Sequence, residues 1–165
     1  MKKQVRLYNV LFPVWFLFLI PTAWLIVVPA NFVIDSAVLL IALKLLGQEL
    51  KIGYKKAILK VWLFGFLSDI VGSVLLLGAT FLHPNEWWEQ TISSAISYNP
   101  FSNFWAFGIT LLCVAAAGLG IYLFNYNISF NKLGLTKGQR KKAALAFAVL
   151  TAPYLFFLPS SLLYS

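Results

Sequence analysis

Asp35 and Asp69 are the only acidic residues set well inside the long apolar runs of this chain. A carboxylate at mid-depth in hydrocarbon costs about 2.5–3.5 kcal/mol on insertion scales, so such a group must face protein or water, find a partner, or carry a proton. The residues near them are polar and small: Asn31 lies one helical turn before Asp35, and Ser68 and Ser73 flank Asp69. Consecutive antiparallel helices are usually neighbours. Asn31 and Asp35, with Lys44 further along, would then form one wall of a polar seam, and Ser68, Asp69 and Ser73 the other. Such a seam could relay protons or cations, or hold a small polar substrate. The structural alternative is a protonated Asp69 hydrogen-bonded between helices, a bond of about 0.6 kcal/mol in membrane bundles, with Asp35 anchoring its helix near the outer interface.

Other chemistries lack residues. One histidine, His83, and one cysteine, Cys113, cannot supply a His/Cys metal site or paired haem ligands, and no disulfide can form within the chain. No phosphate-binding loop, dinucleotide fingerprint, nucleophile elbow or HExxH pattern is present. Neither metal nor cofactor is expected. An intramembrane hydrolase built on the two aspartates has no supporting motif, which makes an enzyme the third reading.

The elements that must position these residues follow from composition. The chain has 165 residues, of which 61% are hydrophobic and 11% charged, against about 25% charged in soluble domains. Crossing about 30 Å of hydrocarbon takes about 20 apolar residues, which leaves no room for a soluble catalytic domain. The predicted architecture is an all-α polytopic bundle in a single membrane domain, with spans at about 7–29, 31–50, 58–82, 104–124 and 143–163. Pro21 and Pro153 should kink the first and last spans, residues 29–31 should form the first turn, and residues 51–60 read as a short basic amphipathic surface helix or as the entry turn of the next span. Thr136 and Gln139 have the spacing of a capping box before the last span. A cleavable signal peptide competes for the first run, but the apolar stretch exceeds the usual 7–15 residues, so retention is expected.

Charge gives the orientation. All 13 Lys and Arg fall into three clusters: Lys2, Lys3 and Arg6; Lys44, Lys51, Lys55, Lys56 and Lys60; and Lys132, Lys137, Arg140, Lys141 and Lys142. Five crossings with the amino terminus inside and the carboxyl terminus outside bring all three to the cytoplasmic face. The net charge of +8 is then matched to anionic headgroups rather than to nucleic acid.

Two further patterns concern packing. Cys113, Ala116, Ala117 and Gly120 form a small-residue face on the fourth span, and Ser68 and Gly72 a small pair on the third; such faces let backbones approach closely, within the bundle or against another copy. In the polar stretch 83–103, Trp88, Ile92 and Ile96 recur four apart. This predicts an amphipathic helix on the outer leaflet, anchored by Trp87 and Trp88 at headgroup depth.

The strings RLYNVLFPVWFL, PANFVIDS, KVWLFGFLSDIVGS, ISYNPF, FNYN and TAPYLFFLP together resemble a family of small bacterial integral membrane proteins. The resemblance would cover nearly the whole chain. It implies a multi-pass address in the bacterial plasma membrane and carries no activity or site residue. Three functions are therefore expected in order: a transport-type or permeation role, or a membrane subunit of such a complex, centred on Asp35 and Asp69; a scaffold binding a membrane partner or a second copy in the bilayer; and a small intramembrane enzyme.

Overall fold

The computed structural model describes residues 13–82 and 84–163. Lys2, Lys3 and Arg6, the start of the first predicted span, His83 and residues 164–165 lie outside the described residues. The described chain is all helical, without strands, and three of its helices are long and apolar enough to cross a membrane: residues 21–45, 50–81 and 104–129.

The first of these differs from the expected boundaries. Helix α1 (Trp24–Leu45) runs straight through the turn expected at residues 29–31, with Pro29 inside it. Pro29 is the sixth residue of the helix, so it removes one bond near the start of the ladder, and within a bundle neighbouring groups can satisfy the freed carbonyls. The Trp62 indole donates to the adjacent Val28 carbonyl at 3.2 Å. The break falls earlier instead. Residues 14–19 and 21–23 are two 3-10 turns, separated by Ile20 in an extended conformation (φ −98°, ψ 114°). A residue before proline is driven out of the helical region by the proline ring, and Ile20 precedes Pro21. The predicted 7–29 span is therefore not one helix over its described part.

Helix α1 ends at Gly47, whose φ of +64° suits a residue without Cβ. Gly47 N–H bonds to the Lys44 carbonyl at 3.2 Å and Gln48 N–H to the Leu43 carbonyl at 3.0 Å, a Schellman ending that reverses the chain into α2 (Leu50–Phe81). The basic segment 51–60 is the start of this long helix, the second of its two expected readings, and not a separate surface helix.

Helix α2 is the spine. Its small residues meet those of α5 (Phe104–Phe124), which continues as a π-turn over Asn125–Ser129. A Cβ on Gly72 would lie 3.1 Å from Ala117 Cβ and 3.3 Å from the Cys113 carbonyl oxygen, and one on Gly120 would lie 2.8 Å from Ser68 Oγ. The two helices are thus as close as their glycines permit.

Helix α6 (Lys137–Leu150) begins with the capping box of Thr136 and Gln139. Its 14 residues reach only about 21 Å at 1.5 Å per residue, short of the hydrocarbon thickness. It packs against the middle of α5, with the Ala148 carbonyl 3.5 Å from the position of a Gly118 Cβ. Beyond it Pro153 and Pro159 break the chain into 3-10 turns at Tyr154–Phe157 and Ser160–Leu163. Of the predicted last span, 143–163, only residues 143–150 are thus α-helix, and the rest is short 3-10 turns with breaks at Pro153 and Pro159.

Between α2 and α5 lie α3 (Glu86–Trp88), a π-turn over Glu89–Ser93 and α4 (Ser94–Tyr98). The expected amphipathic segment is present, but its apolar face is turned the other way. Ile92 and Ile96 are buried against Leu76, Ala106 and Phe156, and the Trp88 indole donates to the Ala79 carbonyl at 2.9 Å. Only Trp87 of the four expected anchors is exposed. The segment closes one end of the bundle because two isoleucines gain more from a protein pocket than from a shallow interfacial position. The opposite end gathers the last turn of α1 and the first turns of α2 and α6, where Lys44 and the remaining basic residues of the second and third clusters sit.

Candidate functional site

Asp35 lies halfway along α1, because that helix starts well before the expected turn. It therefore sits within about one turn of the level of Asp69 on α2 rather than near the end of its helix. The Asn31 side chain donates to Asp69 Oδ2 at 3.0 Å. Asp35 Oδ2 lies 3.2 Å from where a Cβ on Gly65 would be, and Gly65 is one turn before Asp69 on the same face. Both carboxylates are buried, at 5% and 4% exposure. Asp69 Oδ1 has no hydrogen-bond partner.

Both line a single cavity of about 480 Å³. Its other wall is the broken end of α6, residues 150–155 and 157–159, with Phe18 and Phe101. Three features of the sequence build this wall. Pro153 stops the helix, Phe156 turns inward and wedges against Gly72 of α2, and the Val14 amide donates to Ser160 Oγ at 3.3 Å, so that the two proline-broken segments hold one another. Phe18 meets Phe156 edge-on at 5.6 Å.

The serines expected in the seam are elsewhere. Ser68 Oγ donates to the Phe64 carbonyl of its own helix at 2.7 Å and faces Gly120. Ser73 Oγ donates to the Trp15 carbonyl at 3.3 Å, tying the first 3-10 turn to α2. Lys44 is exposed at the basic end. Of the expected polar group, Asn31, Asp35 and Asp69 come together; Ser68 and Ser73 serve packing. Cys113 and Ala117 are buried in the α2–α5 contact and Gly120 meets Ser68 there, while Ala116 is half-buried.

Gly65, Phe18 and Thr151 were not singled out from the sequence. Gly65 carried a usable signal, since a glycine one turn from an intramembrane aspartate leaves room for an opposing carboxylate. The cavity wall at 151–159 had one too, in two prolines six residues apart. No Lys, Arg or His lines the cavity among the described residues. Two carboxylates in an apolar surrounding without a basic partner can be neutralised by protons or by a cation, and that is the chemistry the arrangement offers.

No protein-family model, curated protein or solved structure matches this chain.

Proposed function

We propose that the chain is a multi-pass protein of the bacterial plasma membrane with a transport-type or permeation role, alone or as a subunit, and that the Asp35–Asp69 cavity is its exchange site. One observation carries this: two buried carboxylates without a basic partner, one with an oxygen that has no hydrogen bond, belong to residues lining one cavity with an unwound stretch of chain. Unwound segments at membrane depth are tolerated where they are buried in protein or line a cavity, and discontinuous helices recur at the ion and substrate sites of transporters. The scaffold reading fits less well, because most of the small-residue face that a partner would use is occupied within the bundle.

The proposed orientation puts the basic end in the cytoplasm, where anionic headgroups attract each juxtamembrane Lys or Arg by about 1 kcal/mol. Residues 86–102 then face outward. The five-pass topology with an internal amino terminus rests on Lys2, Lys3 and Arg6, and a cysteine placed at position 3 and labelled from either side decides it.

The exchange role is tested in vesicles with a trapped pH dye and an imposed potential. Wild-type protein should admit protons, and Asp69→Asn should be as inactive as Asp69→Leu while inserting at normal yield. Wild-type flux in Asp69→Asn would reject an exchange role for this carboxylate.

A further inference from the structure

The cavity's lining constrains what it can hold beyond protons. At its depth sit the two carboxylates and the Asn31 amide, and the carboxyl end of α6 reaches it at Leu150 and Thr151. A helix carboxyl end carries partial negative charge, so together with the two carboxylates it favours a cation, while the Asn31 amide is engaged with Asp69. Asp69 Oδ1 is a buried acceptor without a donor, which calls for an N–H or O–H rather than a bare apolar cation. The rest of the lining is apolar and aromatic, with Phe18, Phe101, Tyr154 and Phe157 among it; aromatic faces attract cations and accommodate flat apolar bodies. A volume of about 480 Å³ is in the range of sites for organic ligands, about 300–1,000 Å³, and far exceeds the needs of a single metal ion.

The rim indicates the way in. Ile34 on α1, and Leu150 and Leu155 beyond it on the carboxyl-terminal segment, are at least half exposed although each lines the cavity. They lie along helices that would be surrounded by hydrocarbon, so the mouth opens sideways into the bilayer and is apolar.

Resting on the reading of this cavity as an exchange site, we propose that its substrate class is a protonated amine with an apolar body, admitted from the hydrocarbon layer between α1 and residues 150–158. The ammonium group would donate to Asp69 Oδ1 and neutralise the carboxylate pair, and the apolar body would lie along Phe157 and Phe101. A neutral analogue of the same shape would leave the carboxylates without a countercharge.

The test uses the full-length protein in lipid nanodiscs and equilibrium dialysis of two probes of one shape, 1-naphthylmethylamine and 1-naphthylmethanol. The amine should bind saturably over its background in empty nanodiscs and the alcohol should not. Asp69→Asn and Asp35→Asn should each weaken amine binding by about tenfold or more, equivalent to about 1.4 kcal/mol. Ile34→Trp, which narrows the mouth, should slow association several-fold. Equal binding of alcohol and amine to the unaltered protein would overturn the proposal without reference to any variant, and so would undiminished amine binding in both aspartate variants. An unchanged association rate in Ile34→Trp would overturn the lateral route. If Asp69-dependent proton flux is found but the amine has no advantage, the substrate class is wrong and the exchange role stands. If the amine binds through the aspartates without flux, the class stands and the exchange role falls.

Discussion

Among the described residues, Asn31 is the one side chain that holds Asp69 from across the helix interface, through a single hydrogen bond of 3.0 Å. Interhelical bonds of this kind contribute about 0.6 kcal/mol, and at most about 1.7 kcal/mol, in membrane bundles. Asn31→Ala should therefore leave the folded yield nearly unchanged and alter proton flux far more than it alters thermal stability. Comparing flux with the unfolding temperature of the same purified variant checks this; a variant that loses stability and flux in proportion would make Asn31 a structural residue. Both aspartates were legible in the sequence as polar groups in apolar runs. Their closeness was not, because Pro29 reads as the end of a span, whereas six residues into a helix a proline removes a single bond of the ladder. Gly65, one turn from Asp69, was a usable signal of room beside that aspartate, but which residue fills it shows only once the two helices are aligned.

At the scale of elements, α2 was legible almost in full, since a long apolar run without an internal proline has no competing conformation. The segments at either end of the described chain were not. Pro13, Pro21, Pro153 and Pro159 lie in runs apolar enough to read as spans, but each proline pushes its preceding residue toward extended backbone, and Ile20 and Leu158 are both found there. Part of the apolar surface of these segments is buried in the bundle instead, Trp15, Phe18 and Phe156 almost completely, while Tyr154, Leu155 and Leu162 stay exposed. The close α2–α5 contact gives the sharpest prediction at this scale. Gly120→Leu would drive a side chain into Ser68, where even a Cβ comes within 2.8 Å of Oγ, and overpacking of this kind costs about 1–3 kcal/mol. Its unfolding temperature in detergent should fall clearly, whereas Gly138→Leu, where a Cβ has open space, should be close to neutral. Equal effects would mean that the two helices are not packed as described.

Among the described residues, the molecule has a basic end and an end without Lys or Arg. Ten of the basic residues, from Lys44 to Lys60 and from Lys132 to Lys142, gather at the first with Glu49, and Glu86 and Glu89 lie at the second. This asymmetry was legible from charge alone, because it depends only on which loops share a side. In a Cys113-free background, a cysteine at position 90 should react with an impermeant thiol reagent on intact cells, and cysteines at 56 and 140 only after permeabilisation. Labelling of position 56 on intact cells would invert the orientation.

The account as a whole stands on two carboxyl groups that share one membrane-accessible cavity. The most direct measurement is modification of the purified protein in bilayers by the hydrophobic reagent dicyclohexylcarbodiimide, with the adducts mapped by peptide mass spectrometry. Asp35 or Asp69 should be modified ahead of Glu49, Glu86 and Glu89, and 1-naphthylmethylamine should protect it. Unmodified Asp35 and Asp69 alongside modified surface glutamates would show two carboxyls sealed in a dry interior, and would contradict the account.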